Sequence, residues 1–187
     1  MLTISPATGL ILGTPFIESP NCDARPEGAP IDLLVIHNIS LPPGEFGGEH
    51  ISALFTNCLD PQAHPYFTGI CGLRVSAHAL IRRDGQIIQY VPFHKRAWHA
   101  GVSCFEDRTA CNDFSIGIEL EGTDTAPYSE VQYARLIELT AALMRAYPGI
   151  NPQRITGHEH IAPGRKTDPG PAFDWARYLG AIKSEYV

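Results

Sequence analysis

Eight histidines are spread along this 187-residue chain, and the placing of two of them gives the first chemical hint. His37 closes the apolar run Ile31–His37, and His158 follows Thr156-Gly157 at the end of a second short strand-like stretch. In open sheets, ligands gather where strands end. Asp168 stands ten residues after His158, in a loop punctuated by Pro163, Gly164, Pro169 and Gly170, where the chain can turn back on itself. Two imidazoles and one carboxylate fill three corners of a tetrahedral Zn²⁺ and leave the fourth for water, which distinguishes a catalytic site from a closed structural one. The spacing is equally compatible with Asp168 turning the loop, His160 standing exposed and His158 merely packing.

Glu119 adds a second chemical element. In the run Phe114–Leu120, Ser115, Gly117 and Glu119 share one face of a strand while Ile116, Ile118 and Leu120 share the other. A carboxylate beside a glycine, where the missing side chain lets another group approach, suits a base that activates water. Glu121 lies on the same face, so alternation does not choose between the two.

The elements that position these residues can be read from pattern. Ile31–His37 is almost wholly apolar and β-branched, which predicts a strand buried on both faces. A Pro- and Gly-rich loop follows, and Ile51, Leu54, Phe55, Cys58 and Leu59 then recur at helical spacing. Val75–Ile81 and Gln86–Val91 flank Asp84-Gly85 and predict an antiparallel hairpin. Ser129 with Gln132 is a capping box, opening a helix whose buried face carries Tyr133, Leu136, Ile137, Thr140, Leu143, Met144 and Tyr147, and Pro148-Gly149 stops it. Arg154–His158 reads as a short strand, and Trp175, Tyr178, Leu179 and Ile182 mark a last helix starting near Asp174. Strands interspersed with helices predict a single α/β domain: a mixed β-sheet flanked by helices over 31–187, preceded by an irregular N-terminal arm over 1–30.

Composition bounds the function. Hydrophobic residues at 44% supply a sizeable core for one domain. Fourteen Lys and Arg against 20 Asp and Glu give a net charge of −6, which disfavours a nucleic-acid partner. No window reaches the length of about 20 apolar residues that crosses a bilayer. The first residues lack the basic start and long apolar run of a signal peptide. Cys22, Cys58, Cys71, Cys104 and Cys111 form an odd set without a C-x-x-C pair, so free thiols and a cytoplasmic setting are expected.

Several separated strings, LLVIHNISLPPGEFGG, VSAHALIRRDGQIIQYVP, RAWHAGVS, CNDFSIGIELEGTDT and GHEHIAPGRKTDPGPAFDW, closely resemble the N-acetylmuramoyl-L-alanine amidase family. Within it they are most similar to the cytoplasmic zinc amidases that cleave 1,6-anhydro-N-acetylmuramyl peptides during peptidoglycan recycling. The match runs from Leu33 to Tyr178 and leaves the arm and the last residues uncovered. The resemblance implies that His37, His158 and Asp168 bind one Zn²⁺, that Glu119 is the acid/base and that Lys166 faces the reacting carbonyl. It also implies a mixed sheet shared with peptidoglycan-recognition proteins and phage amidases. In many of those relatives a cysteine holds the third ligand position, where this chain has Asp168. A second departure is Gly164, where Glu is usual; it is expected to loosen the loop carrying Arg165 and Lys166.

The implied partner is a small muropeptide, with no nucleic acid, no membrane and no need for more than a monomer. Its stem-peptide carboxylates suit forked hydrogen bonds from Arg165, with Arg74 and Arg108 as further candidates. Tyr66, Trp98 and His99 are candidate pocket walls. Asn38, Thr156 and His78 are candidates to orient the imidazoles, Asn38 also being a candidate substrate contact. Two rival readings differ in kind. A binding module would have lost a ligand or the base, whereas this chain keeps the whole set. A thiol hydrolase would use Cys111 as nucleophile, although its neighbourhood carries no nucleophile signature.

Overall fold

Leu33, Leu34, Val35 and Ile36 are fully enclosed, as a strand must be when both of its faces meet protein. The computed structural model describes residues 1–185. Its strands are β1 (Cys22–Asp23), β2 (Leu33–Ile39), β3 (Ala79–Ile81), β4 (Ile87–Gln89), β5 (Arg96–Ala97), β6 (Cys104–Phe105), β7 (Arg108–Thr109), β8 (Ser115–Glu121) and β9 (Ile155–Gly157). Its α-helices are α1 (His50–Phe55), α2 (Glu130–Ala146), α3 (His158–Ile161) and α4 (Trp175–Glu185). The central sheet has the order β4-β3-β8-β2-β9; β3, β8, β2 and β9 run parallel and β4 pairs antiparallel with β3. The domain is therefore the expected mixed sheet between helices.

Each face of the sheet is covered differently. Leu34, Ile36, Ile116 and Ile118 pack with Leu136, Leu143, Tyr178 and Ile182 from α2 and α4. On the other face, Leu80, Ile88 and Tyr90 pack against Ile51, Leu54 and Phe55 of α1, while Leu33 and Val35 meet Ala100, Cys111, Phe114 and Ile161. The chain leaves β2 towards β3 over one face and leaves β8 towards β9 over the other. The adjacent C-terminal ends of β2 and β8 thus lie where the connections diverge, the usual ligand crevice of a parallel sheet.

Element limits differ from the sequence pattern where pairing partners decide them. β2 continues past His37 to Ile39, because parallel pairing with β8 holds as far as Ile39 opposite Glu121. The hairpin strands are shorter than expected. Ser76 pairs instead with Trp98 and through its hydroxyl with Asn21, outside the ladder. Gly85 supplies the positive φ of the turn. The Ser129–Gln132 capping box forms as expected, and Thr140 reaches the Tyr178 hydroxyl at 2.6 Å to lock α2 to α4. Leu139 and Ala142 join the buried face of α2, because that helix packs against both the sheet and α4.

The N-terminal arm is largely irregular but firmly attached. Ile4 and Ile11 enter the main core, and β1 pairs with β5. The Arg25 guanidinium donates to the carbonyls of Phe93, Asn112, Asp113 and Ser115. No described helix is long and apolar enough to cross a membrane.

Candidate metal centre and active site

Parallel register sets His37 directly beside Glu119, on the face of the sheet left open between the two smaller apolar clusters. His158 arrives one residue after β9 and opens α3, a turn that the sequence pattern did not reveal. Asp168 comes back from the following loop, pinned where its carbonyl accepts the Glu159 N–H at 2.9 Å. The three side chains converge. His37 Nδ1, His158 Nδ1 and Asp168 Oδ2 are each 3.0 Å from the other two. Ligand atoms bound at about 2.0–2.1 Å to one tetrahedral ion lie about 3.3 Å apart, so the set fits a small N,N,O-coordinated metal with little adjustment. The pattern of the remaining ring nitrogens agrees: His37 Nε2 is 2.9 Å from His99 Nδ1, and His158 Nε2 is 3.1 Å from the Ala100 carbonyl oxygen. Protons on those nitrogens leave both Nδ1 lone pairs for a ligand.

Burial sets the electrostatics. It pushes His37 down to about 4, so the imidazole is neutral at neutral pH. Burial alone would raise Asp168, but its position against His158 and His37 outweighs it and holds the carboxyl below the ordinary carboxylate range. Glu119 goes the other way. Burial raises its carboxyl well above the usual value, Asp168 adds to the rise and the Lys166 ammonium opposes it. Its buried Oε2 has no hydrogen-bond partner among the described residues.

A cavity of about 540 Å³ opens over these groups. His37, Glu119, His158, Lys166 and Asp168 line its floor and one side; Leu41, Phe55, Ile70, Val75 and Trp98 form an apolar wall; Thr123, Asp124 and Thr125 form a polar rim.

The sequence profile of the N-acetylmuramoyl-L-alanine amidase family matches residues 27–171. The chain belongs to that family. Among its curated relatives, "1,6-anhydro-N-acetylmuramyl-L-alanine amidase AmpD" of Escherichia coli K12 is 61% identical over 177 residues, covering 95% of this chain and 96% of that protein. The protein of the same name from Citrobacter freundii is 65% identical over 166 residues, covering 89% and 88%. A crystal structure of a selenomethionine AmpD derivative superposes with a TM-score of 0.93 at 59% identity, covering 97% of this chain and 99% of that one. A more distant neighbour, with a TM-score of 0.60 at 30% identity, is the amidase AmiD from E. coli in complex with the substrate anhydro-N-acetylmuramic acid-L-Ala-D-gamma-Glu-L-Lys; it covers 84% of this chain and 60% of that one.

In this amidase-family member the expected site residues fall into three groups. His37, His158, Asp168, Glu119 and Lys166 meet at the cavity, with Asn38, Tyr66, Trp98 and His99 also along its walls. Asn38 turns its amide to Asp124 Oδ1 and the Pro169 carbonyl, tying the rim to the loop that carries Asp168; Tyr66 is 48% exposed at the mouth; the Trp98 indole donates to Asp23. Arg165 and Arg74 lie outside these walls: Arg165 donates to the Ala100 and Val102 carbonyls, and Arg74 to those of Gly72 and Leu73. Arg108 is farthest away, paired with Asp32 at the opposite end of β2. Cys111 is buried in an apolar cluster, where burial pushes its thiol up, a setting unsuited to a nucleophile. Thr123–Thr125 and Asn112 lie within a string that carries the family resemblance but were not singled out as site residues, since a short polar loop and a lone Asn carry no spacing pattern. The Gly164 departure falls at a φ of +76°, a conformation that glycine adopts without strain.

Proposed function

We propose that this chain hydrolyses the amide between the lactyl carbonyl of 1,6-anhydro-N-acetylmuramic acid and the L-alanine of the stem peptide, with one Zn²⁺ held by His37, His158 and Asp168. The observation that carries this reading is the convergence of those three ligand atoms beside an unpartnered, buried Glu119 carboxylate on the floor of one cavity. The activity for which relatives matching nearly the whole chain are named supports the substrate class.

Amide hydrolysis needs a better nucleophile than water and a better electrophile than a resting carbonyl. A bound Zn²⁺ supplies both, lowering the pKa of water towards about 7 and polarising the carbonyl oxygen. Glu119 takes the proton from the attacking water as the new C–O bond forms, and its raised proton affinity suits that role. It then delivers the proton to the L-alanine nitrogen as the C–N bond breaks, leaving a lactyl carboxylic acid and a peptide amine; the acid's proton passes to that amine, giving a carboxylate and an ammonium. Lys166 sets a positive charge where the carbonyl oxygen becomes anionic. Trp98 and Tyr66 supply walls for the sugar, and Arg165 offers a stem-peptide carboxylate the guanidinium nitrogens that it does not use on Ala100 and Val102. Every residue of this scheme comes from one chain, so a monomer suffices. Free cysteines fit a reducing cytoplasm.

The test is an amidase assay on a 1,6-anhydro-N-acetylmuramyl tripeptide, reading out free peptide. Release that a chelator abolishes and Zn²⁺ restores supports the proposal. Tight binding without cleavage would make the protein a receptor, and cleavage indifferent to chelation would remove the metal from the scheme.

A further inference from the structure

We infer that the dipeptide His99–Ala100 is a single platform orienting both imidazole ligands, and that the Asn112 carboxamide holds this platform in place. The inference rests on the Zn²⁺ reading above and concerns what makes that site possible. An imidazole that offers its Nδ1 lone pair carries its proton on Nε2, and a buried N–H needs an acceptor. His37 finds one in His99 Nδ1 at 2.9 Å, and His158 finds one in the Ala100 carbonyl at 3.1 Å. Two consecutive residues therefore serve both rings. The hydrogen bonds beyond them run in one direction. With Nδ1 accepting, His99 donates from Nε2 to Ser115 Oγ at 3.1 Å, and the Ser115 hydroxyl donates to the Cys111 carbonyl at 2.6 Å.

The platform is itself clamped. The backbone N–H groups of His99 and Ala100 both donate to Asn112 Oδ1, at 3.1 and 2.8 Å. Gly117 makes room for the His99 ring: a Cβ there would lie inside contact distance of its atoms. Asn112 is neither one of the three metal-site side chains nor a residue that lines the cavity; it meets the wall only through the His99 backbone. It is a positioning residue, and its replacement acts through backbone placement alone.

The experiment measures the Zn²⁺ dissociation constant of the full chain by competition with a fluorescent chelator, alongside the melting temperature of the metal-free protein. Asn112→Leu, which removes the shared acceptor, is expected to weaken Zn²⁺ binding by roughly 10–100-fold, the range for groups that orient metal-ligating histidines. Asn112→Asp keeps an oxygen acceptor and is expected to stay near wild type, with the muropeptide KM little changed in both. A folded Asn112→Leu protein with wild-type affinity overturns the inference, as does an equal loss in Asn112→Asp. Should Asn112→Leu fail to fold, His99→Phe decides: a comparable loss of affinity supports the platform and wild-type affinity removes it. Wild-type protein without measurable Zn²⁺ binding would end the functional proposal as well, whereas tight wild-type binding with unchanged variants ends this inference alone.

Discussion

Glu119 carries the proton in this scheme, and its surroundings specify the effect of replacing it. Glu119→Gln keeps the shape and leaves the three ligand atoms untouched, so zinc content should hold while turnover falls roughly 10²–10⁴-fold, the range for a positioned acid/base. Metal analysis beside kcat checks this, and undiminished turnover would move the role to another group. Asp168→Ala should behave differently. It removes one of three ligands and leaves two imidazoles facing each other, so zinc and activity should be lost together; full metal occupancy in that variant would contradict the assignment. Spacing alone left His37, His158 and Asp168 open and the family resemblance marked them; the structure brings the three side chains together, although β2 runs on past His37 to Ile39. The choice between Glu119 and Glu121 was not legible from alternation, because they share a face. Contacts distant in sequence separate them: the Glu121 carboxylate accepts N–H groups from Gly47 and Arg83, whereas Glu119 keeps a free oxygen, which is why the proposed scheme uses Glu119.

At the scale of elements, β8 shows how a weak strand residue can serve a site. Glycine lowers strand stability, yet Gly117 sits in a central strand because the His99 ring occupies the space of its missing side chain. Gly117→Ala should therefore displace His99. Overpacking of this kind costs about 1–3 kcal/mol, which for a chain of this length lowers the melting temperature by roughly 2–12 °C. Calorimetry on the metal-free protein, with Zn²⁺ affinity measured in parallel, checks it; an unchanged melt and affinity would show that the ring has room to spare. The sequence revealed that a group would approach Gly117 but not which one, since His99 lies on an irregular segment without periodicity. Helix α2 was readable almost to the residue, because its capping box and stop signal are local. The hairpin strands were not, since partners from the arm and from Trp98 replace the ladder at Ser76.

The whole molecule responds to pH through groups that folding buries. Burial pushes His78 down to about 3, with Arg25 beside it contributing, and His37 down to about 4. In the unfolded chain both titrate near about 6.5. Between those limits the unfolded chain holds more protons, so stability rises with pH through that window and is lost as pH falls from 6.5 towards 4. Asp168, held low in the fold, acts in the same direction at lower pH. Glu119, raised by burial, acts in the opposite direction, so urea unfolding of Glu119→Gln in chelator isolates the imidazoles: its midpoint should be lower at pH 5 than at pH 7, and equal midpoints would contradict their burial. The mixed sheet and the two long helices were readable from hydrophobic pattern, whereas α3 was not and the site residues came from the family resemblance. The attachment of the arm was not readable either, because Arg25, Asn21 and Ile11 find partners far along the chain. Three separated segments should meet on one ion, and X-ray absorption at the zinc edge of the purified, zinc-loaded protein reads out that coordination. The expected first shell is nitrogen and oxygen at about 2.0–2.2 Å, with two imidazole signatures that Asp168→Ala perturbs. Sulfur at about 2.3 Å, or no imidazole scattering at all, would contradict it.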